Sequence, residues 1–91
     1  MRRTQSLIKV GTELLRRPDA RHYGYALSRA SGVRSGVMYP ILRRLHEAAW
    51  IADGWANPDT IDARRPPRRY YVLTPEGRDL LHALIAVSPT S

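Results

Sequence analysis

Four segments with helix or strand signals follow one another in the middle of the chain, and their order constrains the fold more than any single residue. Residues 24–31 and 36–49 carry apolar side chains at helical spacing, and only a short stretch around Gly32 separates them. Two strand-like segments follow, 50–56 and 68–73, with a proline-containing loop between them. This order predicts two helices joined by a tight turn, followed by a β-hairpin.

A further helix is predicted on each side of this unit. Residues 4–17 place apolar side chains on one face and end before Pro18, which cannot continue a helix. Thr74, followed by a proline, is typical of an N-cap and predicts a last helix over 74–87. We therefore expect one domain, residues 1–91, that is mainly α with a β-hairpin wing (α+β). Its predicted order, α-α-α-β-β-α, is that of a winged helix-turn-helix.

The small size of the chain predicts that it pairs with a second copy. A domain of 91 residues buries only roughly 60–65% of the surface that its unfolded chain exposes, so its own core is small. Several apolar side chains on the first and last helices exceed what such a core needs. We expect these residues to form the contact in a homodimer: Leu7, Leu14, Leu80, Leu84 and Val87.

The charge of the chain indicates a polyanionic partner. Lys and Arg total 15 against 8 acidic residues, which gives a net charge of +7 at pH 7. Nucleic acid is the usual partner of a domain with such an excess. All but one of the basic residues are Arg, whose planar guanidinium makes bidentate contacts to phosphate and guanine that Lys cannot make.

Several classes of site are excluded or unsupported by composition. The absence of cysteine excludes disulfides, cysteine-containing zinc sites and thiol catalysis. The three histidines, His22, His46 and His82, have no ligand spacing. The acidic residues form no recognisable pair with a nucleophile or base, and no histidine is positioned beside a Ser or Thr, so we expect neither a metal site nor an enzyme. No cofactor is indicated. No stretch approaches the ~20 apolar residues of a membrane helix, and we expect a cytoplasmic, nucleoid-associated protein.

Two stretches resemble the signature of one protein family. Residues 36–45, GVMYPILRRL, are similar to the TLYPxLxRLE signature of PadR-family transcriptional regulators, and residues 68–77, RRYYVLTPEG, resemble the RKYYxLTxxG stretch that closes their wing. Residues 23–25, YGY, stand where the family has HGY or YGY. The resemblance covers roughly residues 5–85 and implies a dimeric winged-helix regulator of transcription. One departure is Ala49, where the family usually has glycine before the first wing strand.

The third helix carries the residues expected to contact DNA. In a helix-turn-helix, the second helix of the pair lies in the major groove with its N-terminal residues at the base edges. Ser35 is expected to cap this helix, leaving N–H groups that suit a phosphate, and Gly36 lets the backbone approach. Tyr39 suits a phosphate or a thymine methyl, and Arg43 a guanine or a phosphate. The full predicted set is Arg34, Ser35, Gly36, Tyr39 and Arg43.

The wing carries a second group of basic residues. Arg64, Arg65 and Arg68 are expected to contact phosphates or the minor groove. A charge run is ordinarily a solvated face, but here it lies at the base of a wing and beside prolines. Alternation along the strand predicts that Arg68 and Arg69 point to opposite faces, so that they do not act together.

The predicted function is sequence-specific binding of double-stranded DNA by a repressor that acts as a dimer on a palindromic operator. The alternative is a protein-interaction module, such as a phage or plasmid accessory factor, whose basic wing meets an acidic protein. RNA is a weaker third option, because a helix cannot read the narrow A-form major groove. Members of the family sense small-molecule effectors through a longer C-terminal region, and no residue pattern in this sequence supports an effector site.

Overall fold

The computed structural model describes residues 3–56 and 68–86, so the predicted residues Arg64, Arg65 and Val87 lie outside it. Within these ranges the fold is a winged helix-turn-helix with a three-stranded antiparallel sheet, ordered β1-β3-β2. Its elements are α1 (Gln5–Arg16), β1 (His22–Tyr23), α2 (Gly24–Ser31), α3 (Ser35–Glu47), β2 (Ile51–Ala56), β3 (Arg68–Leu73) and α4 (Pro75–Ala86).

Strand β1 is an element that the sequence did not predict. His22 pairs with Tyr71 and Tyr23 pairs with Tyr70, so β3 has a neighbour on both sides. The sequence predicts only a short connection at these residues, because two residues are too few to show the alternation of polar and apolar side chains that identifies a strand. The added strand fixes the start of α2 against the sheet.

The ends of α1 and α2 follow local rules. The hydroxyl of Thr4 accepts a hydrogen bond from the N–H of Leu7 at 3.1 Å and caps α1. Helix α2 has the predicted bounds, and Gly32 ends it in the left-handed conformation with φ 75°. Glycine is favoured there because a β-carbon would be strained.

Helix α3 begins one residue earlier than predicted. The N–H groups of Val37 and Met38 both donate to the carbonyl of Arg34, at 3.0 and 2.8 Å. Arg34 is therefore the N-cap, and its side chain makes no capping hydrogen bond. The prediction that Ser35 caps the helix is wrong, because Ser35 is already its first helical residue.

The core lies between the helices and one face of the sheet. Leu7 and Leu14 on α1 are buried there, because α1 packs against α2, α3 and α4 of its own chain. The prediction that these two residues contact a second copy is therefore wrong. On α4, Leu80 remains 48% exposed and Leu84 is half-buried. The buried apolar residues are Leu7, Val10, Leu14, Leu27, Val33, Met38, Leu42, Leu45, Ile51, Tyr71 and Leu81.

A compact junction joins the end of α3 to the start of α4. The hydroxyl of Thr74 donates to the carbonyls of Ala49 and Trp50, at 2.8 and 3.2 Å. The same oxygen accepts from the N–H of Gly77 at 2.9 Å, which confirms Thr74 as the predicted cap. A β-carbon at Gly77 would overlap the backbone of Trp50, so only glycine allows α4 to lie this close. The last residue of the RRYYVLTPEG motif is therefore a packing residue.

Ala49 adopts a conformation that favours glycine, with φ 62°. Alanine in the left-handed region costs about 1–2 kcal/mol, whereas glycine there loses more chain entropy on folding. We predict that Ala49→Gly raises the free energy of unfolding by about 0.5–1 kcal/mol. Ala48→Gly is the control. Ala48 has a right-handed backbone with φ −83°, so this substitution should lower the free energy of unfolding by about 0.5–1 kcal/mol. Urea unfolding of both variants measures this, and equal losses would contradict the assignment of strain.

His22 on β1 is buried, with 4% of its surface exposed. Its Nε2 lies 2.9 Å from the carbonyl oxygen of Arg17, so this nitrogen carries the proton and donates. Burial lowers the pKa of His22 below its usual value, and the hydrogen bond to Arg17 offsets only part of this effect. The neutral imidazole thus links β1 to the end of α1.

The lowered pKa of His22 predicts a pH-dependent stability. The unfolded chain takes up a proton near pH 6.5 while the folded chain resists it, so folding loses stability as the pH falls below about 6.5. Wild-type protein should therefore lose free energy of unfolding between about pH 7.5 and pH 5.5. His22→Gln keeps a donor for Arg17 and should remove this part of the loss, whereas His82→Gln on exposed α4 should retain it. Equal pH profiles for wild type and His22→Gln would contradict the prediction.

Candidate nucleic-acid interface

Helix α3 has one buried side and one exposed side. Met38, Leu42 and Leu45 are buried in the core and fix the rotation of the helix. The rest of the helix surface presents Tyr39, which is 48% exposed, and the exposed Arg43. The structure thus holds two of the predicted contact residues on the outer face of a firmly packed helix.

The start of α3 is open to a ligand. Arg34, Ser35 and Gly36 are all exposed, and a β-carbon at Gly36 would meet nothing within 4 Å. The first N–H groups of a helix have no partner inside it, and the side chain of the N-cap residue provides none here. Pro40, the sixth residue of α3, also has no N–H to donate to the carbonyl of Gly36.

Tyr39 extends from α3 to the start of α2. Its hydroxyl lies where a β-carbon of residue 24 would be, so Gly24 is needed for this close approach. This contact gives the middle residue of the YGY element a structural role that the sequence alone did not reveal. The phenol is therefore positioned at the N-terminus of α2, while nearly half of the residue remains exposed.

A cleft of about 340 Å³ opens beside this contact, between α2, α3 and β3. Its walls combine basic and phenolic side chains with the backbone at the start of α2. Burial raises the pKa of Tyr71 above its usual value. The lining residues are Tyr23, Gly24, Tyr25, Tyr39, Arg68, Arg69 and Tyr71.

Arg68 lies against an aromatic ring. Its guanidinium carbon is 4.7 Å from the ring centre of Tyr23, which packs edge-on against Tyr70. Arg21 covers Tyr70 in the same way at 4.5 Å. These cation–π contacts hold the exposed Arg68 at the edge of the cleft. Arg64 and Arg65, the other two predicted wing contacts, lie outside the described residues.

Arg69 belongs to a charge network that connects the wing to α3. Its Nη2 and Nε lie 2.7 and 2.8 Å from Oδ2 of Asp53, whose Oδ1 is 2.8 Å from Nε2 of His46. Desolvation alone would raise the pKa of Asp53, but the hydrogen bonds from Arg69 and His46 outweigh it and lower this pKa below its usual value. This network was not predicted from the sequence, although pairing the two predicted wing strands would have placed Asp53 near Arg69.

The remaining arginines of this surface are differently placed. No carboxylate of a described residue lies within ion-pair distance of Arg34, Arg43 or Arg68. The described residues contain no cluster of three His, Cys, Asp or Glu side chains that could hold a metal ion. None of the described helices has the length and apolarity needed to span a membrane. The exposed arginines Arg34, Arg43 and Arg68 make the surface around α3 suited to binding an anion.

Comparisons with known proteins agree with this geometry. A family model described as the transcriptional regulator PadR-like family matches residues 13–83. A PadR family transcription regulator from hypervirulent Clostridium difficile R20291 superposes with a TM-score of 0.70 and 24% identity, over 88% of this chain and 82% of that one. A mutant MepR from a multidrug resistant S. aureus clinical isolate gives 0.69 and 18%, over 96% of this chain and 59% of that one.

The two solved structures are distant in sequence and show the fold alone. This chain spans only 59% of the length of the MepR chain. No protein among the curated sequences matches it. The family match over residues 13–83 covers well over half of the chain and confirms the family that the two sequence motifs indicated. This chain belongs to the PadR-like family of transcriptional regulators.

Proposed function

We propose that this chain is a sequence-specific repressor that inserts α3 into the major groove of a promoter and occludes it. The observation that carries this proposal is the exposed surface of α3, where Tyr39 and Arg43 reach solvent while Met38 and Leu42 are buried in the core. A helix fixed on one side and open on the other can keep a constant register against base edges.

Each predicted residue then has a defined role. The exposed start of α3, Arg34 to Gly36, binds phosphate through its guanidinium and free N–H groups. Tyr39 binds a backbone phosphate through its hydroxyl, which lies at the start of α2 beside Gly24. Arg43, which has no carboxylate partner among the described residues, reads a guanine edge. Arg68 contacts phosphate from the wing, together with Arg64 and Arg65.

A two-fold dimer would place two copies of α3 about one helical turn apart on a palindromic operator. The exposed Leu80 and half-buried Leu84 provide apolar surface on α4. Val87, which lies outside the described residues, stays a predicted dimer contact. On the other flank of α4, a largely apolar groove of about 420 Å³ lies between α4 and α1. Its lining residues are Thr12, Leu15, Arg16, His82, Ile85 and Ala86.

Selection from a random duplex DNA pool tests sequence-specific binding. We predict enrichment of an inverted repeat, with an affinity that falls steeply as salt rises. Arg43→Ala should weaken binding about tenfold and relax the preference at one base pair of each half-site. Arg44→Ala is the matched control on the same helix and should have a smaller effect, without a change in sequence preference.

Three results would overturn this function. They are a pool without enrichment despite a folded protein, an affinity nearly independent of salt, and equal effects of Arg43→Ala and Arg44→Ala. Failure of enrichment together with tight binding to an acidic protein would favour the protein-interaction module instead.

The dimer is tested by a charge at its proposed contact. Leu80→Lys would bury an unpaired ammonium in an apolar interface, and we predict at least about a tenfold loss of dimer affinity in sedimentation equilibrium. Asp79→Asn changes the net charge by the same amount on an exposed position of α4 and should leave the dimer intact. A dimer that tolerates Leu80→Lys would exclude this face as the interface.

A further inference from the structure

Trp55 is an exposed aromatic residue on the wing that none of the proposed contacts uses. It is 62% exposed, whereas Trp50, five residues earlier, is half-buried and packs against the core. An indole has a large apolar surface and one N–H donor. An exposed indole therefore lacks the favourable free energy that burial of this surface would contribute.

The register of the hairpin fixes the direction of Trp55. Trp55 pairs with Arg69, and Ile51 pairs with Leu73 at the other end of the same ladder. Side chains alternate along a strand, so Trp55 shares the sheet face of Ile51 and Asp53. Ile51 is buried in the core and Asp53 contacts His46 on α3, so this is the face turned toward α3.

The neighbours of Trp55 bring it to the outer side of α3. Arg69, its cross-strand partner, lines a cleft together with Tyr39 and Arg43. Trp55 lies two residues beyond Asp53, or about 7 Å farther along the strand. The indole is therefore held on rigid strand structure, beside the surface that Tyr39 and Arg43 present to DNA.

We infer that Trp55 is the apolar contact of the wing to duplex DNA, with its ring packed on a deoxyribose and its N–H directed to a phosphate. This inference rests on the proposed function and adds a contact that neutralises no charge. Arg69 is less free to take over the role, because Asp53 already binds the edge of its guanidinium formed by Nε and Nη2. The network instead keeps Arg69 and the strand beneath Trp55 in place.

Two single-tryptophan proteins test the inference by fluorescence. Trp50→Phe leaves Trp55 as the sole reporter, and Trp55→Phe leaves Trp50. With the duplex enriched by selection, the emission of Trp55 should shift and be quenched in proportion to binding, while that of Trp50 should stay nearly constant. An unchanged Trp55 emission on a duplex that the protein demonstrably binds would overturn the inference and leave the proposed function standing.

A salt titration separates the role of Trp55 from that of an arginine. Trp55→Ala should weaken binding about tenfold without changing the slope of log affinity against log salt, whereas loss of a phosphate-binding arginine lowers that slope by about one. Unchanged affinity of Trp55→Ala overturns the inference. A shift of Trp55 emission on dilution of the protein without DNA also overturns it, because a second copy would then cover the ring. Absence of binding to any duplex overturns both this inference and the proposed function.

Discussion

The hydroxyl of Thr74 is the contact on which the arrangement of the wing depends. It donates to the carbonyls of Ala49 and Trp50, which follow α3, and it accepts from the N–H of Gly77 in the first turn of α4. One side chain therefore joins the residues at both ends of the hairpin. The close approach of Gly77 to Trp50 removes any room for a different spacing. Since β2 leaves α3 through this junction and β3 returns to it, the angle between wing and α3 is set here. The distance from the wing to the outer face of α3 follows from that angle.

Local signals predicted the elements that depend on local bonding. The bounds of α2 and the role of Gly32 needed only neighbouring residues, and both are confirmed. Contacts between distant segments were missed, namely β1 and the network of Asp53 with Arg69 and His46. An amphipathic pattern also cannot tell a chain's own core from a partner's surface. This is why Leu14 was assigned to a dimer contact although it lies at the centre of the fold.

The distribution of charge says more about this protein than its total. A net charge of +7 indicates an anionic partner but does not locate it. Within the described residues, Asp53 engages Arg69 and fixes it to the wing, while Arg43 on α3 has no such partner. A single acidic residue therefore separates an arginine that supports the structure from one that is available to a ligand. Counting basic residues in the sequence could not make this distinction.

The stacking of Arg68 on Tyr23 bears on the entropy of binding. A free arginine side chain loses close to 2 kcal/mol of rotamer entropy when a ligand immobilises it. Arg68 has part of that freedom removed on folding, because its guanidinium already lies over the ring of Tyr23. An anion that reaches this edge of the cleft meets a preorganised donor, and more of the interaction energy appears as affinity. Lysine carries the same charge but lacks the planar group that stacks, so it would not reproduce this advantage.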